Sequence, residues 1–175
     1  MKRTKFGVAI AAVLIALAGC SAKDDAKDLK FGETIDVDAY DNGKVGIGIT
    51  SIETGSNADL STLENAAKYT GKTPYYVHYV VVKRVGDKHA KGDFAAYAGD
   101  SQLTRLSVQS RLDLSDRGNV KRQVFDKCNS DAFLNEVTVG QRIETCMIFL
   151  ADPGTARPTK IEYIVDRKTT LARWS

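Results

Sequence analysis

Three cysteines and two histidines are the residues whose chemistry can be weighed first. Cys128 and Cys146 make an even pair, and outside a reducing cytosol such a pair is most simply a disulfide. Closing a loop of this length stabilises a fold by roughly 3 kcal/mol in the chain-entropy account. The alternative is two unrelated buried thiols. The third cysteine, Cys20, is left over and ends the tetrapeptide Leu17-Ala18-Gly19-Cys20. His78 falls in a run of strand-forming residues and His89 follows Asp87 and Lys88; a metal site needs several His, Cys or carboxylate ligands to converge. The expectation is no metal and no cofactor, with one strand histidine held by a hydrogen bond and one solvated turn histidine. No Gly-x-Ser-x-Gly elbow is present. Gly46-Ile47-Gly48 lacks the following helix of a phosphate-binding fingerprint, and Asp24-Asp25 sit in a charged stretch. No catalytic residue is assigned and an enzyme is not expected. A hydrolase would require His78 or His89 within hydrogen-bond reach of a serine and a carboxylate.

The leftover thiol is explained by what precedes it. Lys2, Arg3 and Lys5 form a positive start, Phe6 to Ala18 is apolar, and the run closes on small residues, the layout of a secretory signal. The apolar run is short of the roughly 20 residues that span a bilayer. Leu-Ala-Gly-Cys resembles a bacterial lipobox, at which the thiol takes a diacylglyceryl group and the chain is cut just before it. Ala16-Leu17-Ala18 also satisfies an A-x-A site for ordinary cleavage, but that would leave Cys20 as an exposed odd thiol in an oxidising compartment. The expected organisation is a signal peptide over 1–19, a lipid-anchored flexible tether over 20–30 whose charged composition suits a solvated spacer, and one domain over 31–175. Its expected location is the outside of the bacterial cytoplasmic membrane, held by lipid on Cys20.

Lys2, Arg3 and Lys5 are also the residues by which 25 bases outnumber 22 acids. Once the signal is gone the charges balance, so there is no electrostatic case for nucleic acid. Arg105, Arg111, Arg117, Lys121 and Arg122 make the middle of the chain locally basic. That pattern suits either anionic headgroups and wall polymer or the polar face of alternating strands interleaved with Asp113 and Asp116, and the second is favoured.

The elements that must position these residues are strands. Thr34 to Asp38 alternates, Tyr40-Asp41-Asn42-Gly43 is hairpin-turn chemistry, and Lys44 to Glu53 places Val45, Ile47 and Ile49 on one face. On the other face, Gly46 and Gly48 leave room for a neighbouring backbone. Asn57 to Tyr69 reads as a short helix or structured loop, with a capping box at Ser61 to Glu64 and Leu60, Leu63 and Ala67 at helical spacing. It is either a binding loop or a lid over one end of the core, and the lid is favoured. Tyr75 to Val85 is apolar on both faces and so central in its sheet. Phe94 to Tyr97, Leu103 to Val108 and Arg111 to Leu114 follow, then Arg142 to Leu150 with Cys146, then Lys160 to Val165. Thr169 to Trp174 is expected as a last edge strand. Many short strands and frequent turns predict an all-β, immunoglobulin-like antiparallel β-sandwich.

The Gly32-Glu33-Thr34 opening, the Val45-to-Ile52 strand, the Tyr75-to-Val82 strand and the Val139-Gly140 turn leading to Ile148-Phe149-Leu150 together carry a resemblance. Over Phe31 to about Val165 the chain resembles the immunoglobulin-like domains of unknown function found in surface lipoproteins of Gram-positive bacteria, particularly actinobacteria, a group similar to a secreted mycobacterial immunogenic antigen. That resemblance implies a β-sandwich on the envelope and supplies no catalytic residues. The expected function is a non-catalytic binding or protein-interaction module, with a protein or envelope polymer as partner. The alternative is a small-ligand or metal carrier with a concave polar pocket.

Overall fold

A computed structural model describes residues 26–40, 42–63, 65–86, 89–108, 111–113, 121–123, 125–128, 138–167 and 169–175, of which 111–113 and 121–123 are described by their backbone alone. Twelve strands follow in order: β1 (Lys27–Leu29), β2 (Ile35–Asp38), β3 (Lys44–Thr54), β4 (Thr73–Val85), β5 (Asp93–Ala98), β6 (Ser101–Gln102), β7 (Thr104–Leu106), β8 (Arg111–Asp113), β9 (Lys121–Gln123), β10 (Arg142–Ala151), β11 (Lys160–Val165) and β12 (Thr169–Trp174). One sheet runs β1-β12-β11-β5-β6 and the other β2-β3-β4-β10-β7, while β8 and β9 pair apart. The two five-stranded sheets form a β-sandwich.

The alternating pattern puts Val45, Ile47 and Ile49 of β3, Val77 and Val81 of β4, and Met147 and Phe149 of β10 against Ile161, Tyr163, Ala172 and Trp174 of the facing sheet. Phe94 sits among three aromatics, 5.2 Å from Tyr79, 5.1 Å from Tyr163 and 6.2 Å from Trp174 between ring centres. Each such pair adds about 0.5–1.5 kcal/mol beyond the area it buries. A bulge between Ile49 and Ser51 shifts the β3–β4 register by one residue. It returns Ile52 to the core face that strict alternation would deny it.

β4 is central, between β3 and β10, and both its faces are buried. Its outer face is covered by a second core, in which Leu60, Tyr76, Cys128, Cys146, Ile148 and Leu150 pack together with Leu63, Tyr69 and Phe125 against them. Residues 57–69 are therefore a lid. They form two 3₁₀ helices, Asn57–Thr62 and Ala66–Tyr69, rather than one helix. Asn65 between them is left-handed, so the expected periodicity breaks: Ala67 is exposed and Tyr69 packs instead. Capping occurs one turn before the expected box, since the Asp59 carboxylate accepts from the Ser56 N–H at 2.9 Å, and Glu64 lies outside the described residues. The lid is closed by the Asn57 amide, which donates to the carbonyls of Tyr69 and Lys72.

Two expectations about strands need correction, and one strand had no expectation attached to it. Lys27–Leu29, read as the end of the tether, pairs in parallel with β12, so the ordered fold begins before residue 31 and the sandwich is not wholly antiparallel. For the same reason β12 is no edge strand; it lies between β11 and β1. Lys121–Gln123 is a strand that no alternation announced, paired with Arg111–Asp113.

Gly48 faces the chain between β1 and β2. A Cβ there would stand 2.4 Å from the Glu33 carbonyl oxygen and 2.8 Å from Thr34 Cγ2. At Gly46 it would meet only the ends of Asp36 and Arg84, at 3.1 to 3.3 Å. Gly48→Ala is expected to lower stability by about 1–3 kcal/mol in urea unfolding, with Gly46→Ala costing clearly less. Equal effects would show that the Glu33 backbone yields freely. The second core yields another expectation. Cys128 and Cys146 stand at disulfide distance, with Cα atoms 5.2 Å apart and a sequence separation of 18. Reduction should remove roughly 3 kcal/mol and lower the melting temperature; an unchanged value would mean that the thiols are unlinked.

Candidate functional site

Strand pairing sorts the connections into two ends. At one end lie the β2–β3 turn, the segment leading into β5, the turn before β10 and the β11–β12 turn, because Asp38 pairs with Lys44, Lys44 with Val85, Arg142 with Val82, Ile164 with Asp93 and Val165 with Thr169. The Ala39–Ala90 bridge and the Lys91 N–H donating to the Asp38 carbonyl at 2.8 Å join the two sheets there. At the other end lie the lid, the Asp152–Gly154 turn and the Gly99–Asp100 turn.

The first end, called here the loop end, collects what is unusual. Of the described residues, Tyr40, Val85 and Val139 are the large apolar side chains most open to water, at 68%, 62% and 67%, and all three belong to it. Phe31, at 38%, lies away from it on the β1–β2 connection. Asn42, Asp166 and Arg167 have positive φ there. Asn42 and Asp166 are residue types that enter that region readily, while holding Arg167 there costs about 1–2 kcal/mol, a cost of the kind that clusters at binding surfaces.

Beside Tyr40 an open cleft of about 620 Å³ is lined by Lys91, Asp93, Ile164, Asp166 and Arg167, among others. Its floor is tight at Gly92, where a Cβ would come within 2.6 Å of Tyr163 Cζ and 2.8 Å of the Ile164 carbonyl oxygen. With φ at +148°, glycine is demanded twice over. Beneath it the Tyr163 hydroxyl is buried without a hydrogen-bond partner among the described residues. Burial first, then Tyr40 and Asp38, pushes the Tyr163 hydroxyl far above the usual tyrosine range. Asp38 is held below the usual carboxylate range by its hydrogen bond and charge pairing with Lys44. Asp93 is paired with Arg105. The cleft is thus mixed in sign.

The residues singled out from sequence are dispersed. Cys20, Asp24, Asp25, Arg117 and Asp116 lie outside the described residues. Cys128 and Cys146 belong to the second core and not to the cleft lining. His78 lies on the lid side of β4, half-exposed, with Nε2 3.5 Å from Glu53. His89 is exposed, and its carbonyl accepts from the Tyr40 N–H. The described hydrogen bonds include none from a serine hydroxyl to either histidine, and no group of three metal-ligating side chains occurs among the described residues. Of the basic run, Arg105 is ion-paired, and Arg111, Lys121 and Arg122 stand in the β8–β9 hairpin, where Lys121 lies opposite Asp113. Gly92 and Arg167 carried no signal in the sequence; Tyr40 stood there only as the first residue of the Asn-Gly turn, which with the Val139-Gly140 turn marked this end.

The models of known protein families and the sequences of curated proteins give no match to this chain. Among solved structures it is similar to MPT63, a secreted protein from Mycobacterium tuberculosis, with a TM-score of 0.54, 12% identity, and 86% of this chain and 97% of that one covered. At this identity the similarity concerns the fold, a β-sandwich.

Removing the hydroxyl in Tyr163→Phe takes away a buried polar atom with no partner. Leaving such an atom unpaired costs about 1–3 kcal/mol, so the variant is expected to match or exceed the parent in thermal and urea unfolding. A loss of stability would show that the hydroxyl is hydrogen-bonded in solution.

Proposed function

We propose that this chain is a bacterial envelope lipoprotein, held outside the cytoplasmic membrane by lipid on Cys20, whose β-sandwich is a non-catalytic interaction module. The observation that carries the interaction reading is the gathering of Tyr40, Val85 and Val139 at one end, where Tyr40 lines an open cleft, while most other large apolar side chains described in the two sheets and the lid are buried or partly buried. Large exposed apolar groups collected in one place mark a contact surface. Export is supported by the signal-like start of the chain, by the paired cysteines at disulfide distance, and by the likeness in fold to a secreted protein. A disulfide between Cys128 and Cys146 belongs to this reading.

A polar cleft is also what a carrier would need. The native mass of the protein gently extracted from its own membranes separates the two. A lipid increment alone, or with a protein bound, is expected; a small molecule or metal retained at stoichiometry would replace the module by a carrier. Cys20→Ala is expected to move the protein from the membrane fraction to the soluble one. Retention in the membrane would remove the anchor from the account.

A further inference from the structure

We infer that the loop end of the sandwich faces the lipid surface, with Tyr40, Val85 and Val139 as its contact residues. This rests on the anchor proposed at Cys20 and goes beyond it, because an anchor alone leaves the orientation of the domain open.

The path of the chain decides between the two ends. β1 runs parallel to β12, with Lys27 opposite Ala172 and Leu29 opposite Trp174. β12 starts at the loop end, where Thr169 pairs with Val165, and runs away from it. The chain therefore enters β1 from the side of the loop end. Ala172 is three residues along β12 from Thr169, which places Lys27 about 10 Å from the β11–β12 turn. Cys20 precedes Lys27 by seven residues, and seven residues span at most about 25 Å however they are arranged. The sandwich is as tall as its longest strand: β4 has 13 residues, about 43 Å at 3.3 Å per residue. Lys27 is level with the middle of that strand, because Lys27 stands opposite Ala172, Ala172 opposite Tyr163 and Tyr163 opposite Phe94, whose ring lies 5.2 Å from that of Tyr79; six residues, about 20 Å, then separate that level from either end of β4. A chain continued straight out of β1 carries a lipid on Cys20 past the loop end, whereas a lipid at the lid end would require those seven residues to turn back at once and use about 20 of their roughly 25 Å running along the domain.

Surface chemistry then separates end-on from side-on docking. The β1 edge offers charged Lys27 and Asp28, both exposed. The loop end offers an aromatic ring and two valines. An aromatic with a polar tip suits the headgroup region. The charges around it, Lys44, Lys91 and Arg167 against Asp38, Asp93 and Asp166, are mixed. Contact should therefore not depend on anionic lipid.

The test uses the acylated mature protein in phosphatidylcholine vesicles carrying bromine on the upper acyl carbons. Tyr40→Trp and Val139→Trp report on the loop end, Asp28→Trp on the β1 edge and Ala156→Trp on the lid end, each measured against the common Trp174 background. Bromolipid is expected to remove about half of the added emission at Tyr40→Trp or Val139→Trp and little at Ala156→Trp. The result should be the same with anionic lipid added. Co-sedimentation without loop-end quenching, or with quenching strongest at Asp28→Trp, overturns the orientation and leaves the anchor standing. That outcome would reserve the loop end for a protein or polymer. Acylated protein that does not co-sediment overturns the anchor and the orientation together.

Discussion

The fold hangs on one carbonyl. Glu33 lies where the chain crosses from the edge of one sheet to the edge of the other, and its carbonyl oxygen accepts the Trp174 indole N–H at 3.0 Å. Trp174 is fully buried and the largest side chain in the core. An indole placed there must find an acceptor or lose a hydrogen bond to water outright. The acceptor can come this close only because Gly48 offers no Cβ beneath it. The Gly32 N–H donating to the Ile49 carbonyl at 2.7 Å fixes the same crossing from the other side. One contact thus ties the beginning of the fold, the middle of β3 and the last strand, at positions 33, 48 and 174. It also fixes β1 beside β12, from which the direction of the N-terminal chain follows.

The second constraint is that the sheet containing β4 is apolar on both faces. Alternation alone would leave Tyr76, Ile148 and Leu150 in water. The lid solves this over one half, through Leu60 and Tyr69. The Phe125–Cys128 segment solves it over the other, with Phe125 6.1 Å from Tyr76 between ring centres. Cys146 in β10 and Cys128 beside that segment lie where a crosslink can hold the cover down. Tyr76 also reaches Asp59 of the lid with its hydroxyl at 3.0 Å. The Ser56 N–H and then this hydroxyl hold the Asp59 carboxyl below its usual range, against the opposing effect of burial.

Where local pattern and tertiary demand agree, the elements were legible in the sequence. Lys160–Val165 and Thr169–Trp174 have the bounds their alternation suggests, and Tyr75 to Val85 was legible as central because both of its faces are apolar. Where they disagree, reading failed for definite reasons. Lys27 and Asp28 look like tether because edge strands carry charge to discourage further pairing. The lid loses its helical spacing because Asn65 turns left-handed to bring Tyr69 onto the sheet. The candidate site was almost invisible. Tyr40, Gly92 and Asp166 are 126 residues apart at their extremes and meet only through sheet pairing, and among them only Tyr40 stands beside a strong turn signal.

What remains open to contact follows by elimination. The outer face of the sheet containing β11 is sealed by ions rather than by a lid: Glu162 is 7% exposed and holds Lys160 at 3.0 Å, Arg173 at 3.1 Å and the Thr170 hydroxyl at 3.4 Å. Such a network adds little net stability, since desolvation offsets much of the attraction. Its charges are satisfied by one another, and Lys160 is further held over the Tyr97 ring at 4.4 Å. Part of the outer face of the opposite sheet is covered by the second core, and beside it His78 stands 3.5 Å from Glu53. At the lid end, Lys72 and Asp152 are paired across the two turns and Leu60 is buried. Each of these surfaces has already found partners within the chain. The loop end has not, since its tyrosine and two valines project into solvent. Among the described residues, the large apolar side chains fill two cores, and the three most exposed stand at the end from which the N-terminal chain enters β1.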